Sequence, residues 1–224
     1  MPGREILGYP LFLNLHGKQA VVIGAGAVAQ RKILSLLEYG ATVLVIAPDA
    51  SPCLRQLSQE GRIVWKQRPY RHGDLQSASL AFCACGIPCV NEAVKREAAT
   101  CACLLNIADE PDEGDFSVPA VLRRGSLQLA ISTSGASPAL ARKIKADLAD
   151  CYGDEWGLYI QRLGELRALV LERVEDDFAR RRVFQALAGE DLRPSLMSIE
   201  YADSEEAYNA LVVPILDAMN AEAL

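Results

Sequence analysis

The sequence predicts an α/β fold: a doubly wound parallel sheet, then a small antiparallel hairpin region, then a helical C-terminal domain. Three observations predict it. Short apolar runs alternate with amphipathic stretches from residue 19 to residue 107, the rhythm of strand–helix–strand units. After Asp109 an acidic, turn-rich loop, EPDEGD, leads into two alternating segments joined across Arg123-Arg124-Gly125. From Pro138 onward the pattern is helical. The expected boundaries are 1-113 for the sheet domain, 114-148 for the hairpin region and 149-224 for the helical domain.

Taken in order, Pro10 to Leu15 reads as a lead-in segment that covers the sheet before a turn at His16-Gly17. Ala20-Val21-Val22-Ile23 is a buried strand. The helix after it presents Val28, Ile33, Leu34 and Leu37, and Gly40 closes it at the C′ position. Thr42 to Ala47 is the second strand, Ser51 to Gln59 a helix stopped at Gly61, and Arg62 to Gln67 the third strand. A loop over Arg68 to Gly73 precedes the fourth strand, Leu80 to Ala84. A helix from Pro88 to Ala99 and a strand from Cys103 to Ile107 complete the unit. Phe116 to Leu122 and Ser126 to Ser132 read as the hairpin. Ser137 is placed to cap a helix that begins at Pro138 and runs to Cys151. Further helices span Glu155 to Val174 and Asp176 to Ala188. GEDLRPSLMS reads as a loop, and the last helix, from Ser204, as interrupted at Pro214.

The first strand runs straight into Gly24-Ala25-Gly26-Ala27-Val28-Ala29, a G-x-G-x-x-A seam between strand and helix. That is the form in which a Rossmann sheet grips a dinucleotide pyrophosphate, and by itself it would allow a non-catalytic NAD-sensing module, with the helical tail signalling to a partner, as well as an enzyme. Gly24 permits the tight turn, Gly26 admits the phosphate to the backbone, and Ala29 lets helix and strand pack closely. The free N–H groups and positive dipole end of the helix then face the anion. Asp49, just past the second strand, suits either a ribose hydroxyl or the cap of the next helix. The nearest downstream cation, Arg55, lies a turn or more into that helix, so NAD is expected over NADP.

Half of the residues are hydrophobic and the net charge is −6, the wrong sign for a general nucleic-acid binder. No uncharged run is long enough to span a membrane, and the N-terminal stretch is not a convincing secretory signal. Seven cysteines, an odd number, suggest free thiols in a reducing cytoplasm. Cys83 and Cys85, Cys101 and Cys103 form two C-x-C pairs on extended backbone. They lack zinc-knuckle spacing and read as small buried hydrophobes, with no metal site expected. Asp109, beyond the fifth-strand end of the sheet domain, is placed either to accept a proton from a substrate laid against a nicotinamide or simply to face solvent.

Four stretches together resemble the precorrin-2 dehydrogenase family, which includes the N-terminal module of siroheme synthase. They are the glycine turn with Arg31-Lys32, Asn106-Ile107-Ala108-Asp109, Phe116 with Pro119-Ala120, and Ala130 to Arg142 with its S-x-S-G-x-S-P-x-L-A-R pattern. The resemblance runs in one order over about residues 10 to 145. It implies a homodimer with a Rossmann domain, a dimerisation region and a helical end, oxidising precorrin-2 to sirohydrochlorin with NAD for sirohaem or cobalamin. It places the catalytic aspartate on Asp109 and NAD contacts on Gly24, Gly26, Ala27, Val28, Pro48 and Asp49. Substrate contacts fall on Asn106, Ser132, Thr133, Ser137 and Arg142. Some relatives also insert ferrous iron, an activity expected here to be weak and to share Asp109. Arg123, Arg124, Arg142, Lys143 and Lys145 could meet the tetrapyrrole carboxylates, or form a solvated face. The chain departs from the family in two places: Thr133 stands where some members carry a phosphorylatable serine, and Ala84-Cys85-Gly86-Ile87 replaces a polar loop that borders the cofactor.

Overall fold

The structure is a computed structural model that describes residues 8–189, 192–198 and 204–222. The first seven residues of the N-terminal stretch, and Glu190 and Asp191 of the expected loop after Ala188, therefore lie outside the described residues. The chain divides into two compact units that meet at Val118 and Pro119, so the hairpin and the helices after it share one unit.

The first unit is built on five parallel strands, β1 (Gln19–Ile23), β2 (Thr42–Ile46), β3 (Val64–Lys66), β4 (Leu80–Cys83) and β5 (Leu104–Ile107), in the order β3-β2-β1-β4-β5. A parallel sheet covered on both faces needs nearly continuous apolar strands, which is why QAVVI, TVLVI and LAFC carry so few polar residues. Alternate residues serve opposite faces. Val22, Val43, Val45 and Phe82 pack on α1 (Ala27–Glu38) and α2 (Pro52–Gln59) through Ile33, Leu36, Leu54 and Leu57. Val21, Ile23, Leu44 and Ala81 pack on α3 (Pro88–Thr100) through Val94 and Ala98. Helix α1 ends as expected: Gly40 has φ +74, its N–H reaches Leu37 O, and Ala41 N–H reaches Leu36 O.

Three expectations need correcting here. β3 is three residues long, because Gly61 and Arg62 are spent closing α2 with bonds to Ser58 O and Leu57 O. Cys85 lies beyond β4, which ends at Cys83. The lead-in segment does not cover the sheet: Leu15 packs against the core, but Tyr9, Leu11, Phe12 and Leu13 are exposed.

The loop between β3 and β4 is anchored by buried Glu97 of α3. Its carboxylate accepts hydrogen bonds from Gly73 N–H (2.9 Å), Leu75 N–H (2.7 Å) and the Tyr70 hydroxyl. In the same loop Arg68 grips Asp74 with two bonds of 2.8 and 2.6 Å.

The second unit opens with the antiparallel pair β6 (Ala120–Arg124) and β7 (Leu127–Ile131). The register pairs Arg124 with Leu127, leaving a two-residue turn, Gly125-Ser126. Gly125 has φ +56 at the first turn position, as a primed hairpin turn requires. The turn therefore falls later than the sequence reading placed it, and Arg123 and Arg124 are strand residues. Phe116 is not in the hairpin; it packs edge-on against Phe82 in the first unit at 5.4 Å. The helices are α4 (Pro138–Cys151), α5 (Glu155–Arg173), α6 (Asp177–Leu187), α7 (Arg193–Ser198), α8 (Ser204–Ala207) and α9 (Val213–Glu222). Leu166, Val170, Val183, Leu196 and Val212 form their core.

Two further readings change in this unit. Part of the expected loop over 189–198 is the helix α7, whose Leu196 is buried. Pro214 does not interrupt the last helix. A π-helical turn, Tyr208–Val212, precedes it and widens the backbone where the proline ring would otherwise collide with the preceding turn.

Candidate functional site

In the first unit the strand order reverses between β1 and β4, and at such a switch point a crevice opens beyond the carboxyl ends of the strands. Gly24 lies there with φ +106, and a Cβ added to it would lie 2.8 Å from the Ala84 carbonyl carbon. No other residue fits this turn. Gly26 is different: a Cβ there would meet nothing within 4 Å, so its surface is open to a ligand. Gly26 is also the N-cap of α1, and no side chain caps that helix. Ala27 and Val28, at its first positions, are exposed, while Ala29 is fully buried against the sheet. An uncapped helix start at an open backbone surface suits a phosphate group.

Pro48 and Asp49 follow β2 and are exposed at the same edge of the sheet. The cap of α2 is Ser51, whose Oγ accepts from Leu54 N–H, so Asp49 does not cap that helix. Asp49 Oδ1 instead accepts from Ala50 N–H (2.8 Å) and from the Arg55 guanidinium. Arg55 is held in turn by the Ala50 carbonyl (2.9 Å) and lies over the Trp65 ring. The sequence reading set Arg55 a turn away from Asp49; the fold makes them partners, because the first turn of α2 brings Arg55 back over the strand end. Sequence spacing alone does not reveal this pair. Asp49 Oδ2 takes no hydrogen bond among the described residues and is open to a ribose hydroxyl.

Asp109 is exposed just past β5, with Oδ2 3.8 Å from the position a Cβ on Gly86 would take. It makes no hydrogen bond or ion pair among the described residues. Its loop is nonetheless fixed. Glu110 accepts from Asn91 Nδ2 (3.2 Å), and Asp115 bonds back to Leu105 through its N–H (2.7 Å) and its carboxylate (2.8 Å). Asn106 is buried, and its Nδ2 donates to the Phe116 carbonyl (2.8 Å), so that side of the amide is committed to the fold. The 84–87 segment brings Gly86 to Asp109 and the Ala84 carbonyl to Gly24, so it joins the two features.

The cysteines are less uniform than expected. Cys83 and Cys103 are buried, and burial pushes each thiol up to about 12. Cys83 Sγ donates to Asn91 Oδ1 (3.1 Å) and lies 3.8 Å from Cys85 Sγ. Cys85 and Cys101 are half-buried, whereas Cys89 and Cys151 are exposed, which a reading of small buried hydrophobes does not cover.

The other candidates belong to the second unit. Ser132, Thr133 and Ser137 each accept a backbone N–H through the hydroxyl oxygen, from Ser134, Ser137 and Leu140 at 3.1, 3.1 and 3.2 Å. Each hydroxyl proton remains available to donate. Ser134 (φ +49) and Gly135 (φ +82) form the tight bend of this loop, and Arg142 is exposed in the first turns of α4. Three of the expected cations are engaged elsewhere. Arg123 Nε donates to the Gly125 carbonyl (3.2 Å). Arg124 holds the Tyr152 carbonyl (2.9 Å) and Asp154 (3.2 Å), and Lys143 pairs with Asp147 (2.9 Å).

Comparison with known proteins agrees with this architecture. Residues 11–120 match a family model described as NAD(P)-binding, and residues 124–150 match one described as sirohaem biosynthesis protein central. The chain is 35% identical over 162 residues to a precorrin-2 dehydrogenase of Priestia megaterium, covering 72% of this chain and 80% of that one. It is 33% identical to a siroheme synthase of Xylella fastidiosa, covering 90% of this chain but only 43% of that protein's length. A solved structure, SirC, precorrin-2 dehydrogenase, matches with a TM-score of 0.76 at 28% identity, over 91% of this chain and 98% of that one. With its glycine turn, its five-stranded parallel sheet and its hairpin-and-helix second unit, the chain belongs to the precorrin-2 dehydrogenase family, together with the N-terminal part of the siroheme synthases.

Proposed function

We propose that this chain oxidises precorrin-2 to sirohydrochlorin with NAD, in the formation of sirohaem or cobalamin. The observation that carries the reading is an exposed carboxylate, Asp109, without a partner among the described residues and joined through the 84–87 segment to an uncapped glycine turn. NAD, when bound, supplies the two-electron acceptor. In this reading the N–H groups of Gly26, Ala27 and Val28 hold its pyrophosphate, Gly24 keeps the turn seated on the sheet, and Pro48 and Asp49 Oδ2 meet the ribose. Asp109 accepts the proton released as the substrate carbon is oxidised; its lone pairs are not taken up by any donor among the described residues. Ser132, Thr133 and Ser137 donate hydroxyl hydrogen bonds to the tetrapyrrole, while Arg142 and the remaining edge of Asn106 contact its polar rim. The working form is a homodimer.

The test is Asp109→Asn under anaerobic conditions with precorrin-2 and NAD. NADH binding is expected to match wild type while dehydrogenation falls by about 10²- to 10⁴-fold, the usual cost of losing a general base. Turnover near the wild-type rate would remove Asp109 from the mechanism.

A further inference from the structure

Lys32, in the second turn of α1, is half-buried, and its charge has no carboxylate within ion-pair distance among the described residues. Its Nζ lies 5.4 Å from the centroid of the Phe82 ring. Side chains on a helix lean toward its N-terminus, so the ammonium is carried back toward the carboxyl end of the sheet. Phe82 stands beside Asn106 in the strand register and packs edge-on against Phe116, whose carbonyl takes the Asn106 amide. Asn106 is three residues before Asp109. Lys32, Phe82, Asn106 and Phe116 thus form one cluster, on the sheet face that α1 covers, next to the strand end that bears Asp109.

A half-buried ammonium is an expense to the fold unless something repays it. Burial, aided by the positive charge of Arg31, holds the Lys32 amine below the ordinary lysine range. The Phe82 ring face recovers part of the loss. A counter-anion would recover more, and the described residues supply none.

We infer that Lys32 is a binding residue for a carboxylate of the substrate, held in place by the Phe82 ring. This rests on the precorrin-2 reading above, since a tetrapyrrole edged with carboxylates provides the missing anion. The other role open to a lysine in this position is to lay its stem on apolar surface with its head in water. The two roles differ in what loss of the charge does. A ligand-binding lysine costs the empty protein stability and strengthens the complex; a merely packed one does neither.

The experiment titrates wild type, Lys32→Met and Lys32→Arg with sirohydrochlorin and, separately, with NADH, and records the melting temperature of each empty protein. Methionine keeps the unbranched stem and removes the charge. The expected result is a Kd for sirohydrochlorin raised about tenfold or more in Lys32→Met, the fold-change a charge-assisted hydrogen bond corresponds to. Lys32→Arg should recover most of that loss, NADH affinity should be unchanged, and Lys32→Met should melt at or above the wild-type temperature. Wild-type affinity for sirohydrochlorin in Lys32→Met would overturn the inference alone. Weakened NADH binding with sirohydrochlorin unaffected would assign the charge to a phosphate instead and overturn the carboxylate. A lowered melting temperature with unchanged affinities would make Lys32 structural. Failure of the wild type to bind sirohydrochlorin at all would overturn the functional reading on which the inference stands.

Discussion

At the scale of single residues, the glycine turn is the most constrained feature. Gly24→Ala would add a Cβ at φ +106 and press it onto the Ala84 carbonyl. We expect about 1–3 kcal/mol of lost stability and loss of NADH binding, measured by denaturant unfolding and by fluorescence titration; retention of both would show that the turn can relax. Asp49 and Arg55 set a second test. With Asp49 in place, Arg55 is occupied and a 2′-phosphate would meet a carboxylate. Asp49→Ser removes the carboxylate and releases Arg55, so the NADPH-to-NADH affinity ratio should rise about tenfold or more. An unchanged ratio would place the ribose elsewhere. Glu97 gives a pH-dependent test. Burial opposes its ionisation, but hydrogen bonds from Tyr70, Leu75 and Gly73 outweigh it and hold the carboxyl below its ordinary value of 4.5. A depressed carboxyl stabilises the fold fully above the unfolded value, and the gain is lost as pH falls from 4.5 toward the folded value. Glu97→Gln should therefore be less stable near neutrality and flatter in its acid limb below that pH. A variant whose acid limb parallels wild type would contradict this.

At the scale of elements, Ser137 and Pro138 start α4 as their residue types predict, with Ser137 Oγ accepting from Leu140 N–H. Ser137→Ala should cost about 1 kcal/mol in denaturant unfolding, and Ser137→Asp, which keeps an acceptor, should retain most of it. Equal stability of Ser137→Ala and wild type would mean the cap contributes nothing. The parallel strands were legible because burial on both faces forces runs such as AVVI and TVLVI, and the caps because Gly40 and Ser137 have few substitutes. The hairpin turn is read too early because Arg123 and Arg124 are charged and adjoin a glycine, whereas both pair within the ribbon and the positive φ falls on Gly125. Helix α7 is six residues long and owes its existence to the burial of Leu196, which no local pattern announces. The site divides in the same way. Gly24 and Gly26 declare themselves because only glycine meets their geometry. The Asp49–Arg55 pair depends on how the first turn of α2 folds back over the end of β2, and the contact of Gly86 with Asp109 on how two separate segments meet; residue spacing announces neither.

At the scale of the whole molecule, each unit has its own core, and among the described residues neither outer edge of the second unit's hairpin pairs with another strand. Leu122 is buried, but Leu127, Leu129 and Ile131 are only half covered. A second copy of the chain adding to this ribbon would complete the cover, and we expect light scattering to report a dimer at micromolar concentration; a monomer there would contradict it. The most direct measurement of the reaction is anaerobic incubation of the purified chain with precorrin-2 and NAD, following tetrapyrrole and nicotinamide absorbance together. Sirohydrochlorin and NADH are expected in equal amounts, with neither appearing when NAD is omitted. Tight NADH binding without any conversion of precorrin-2 would contradict this and leave a dinucleotide-binding protein with some other task.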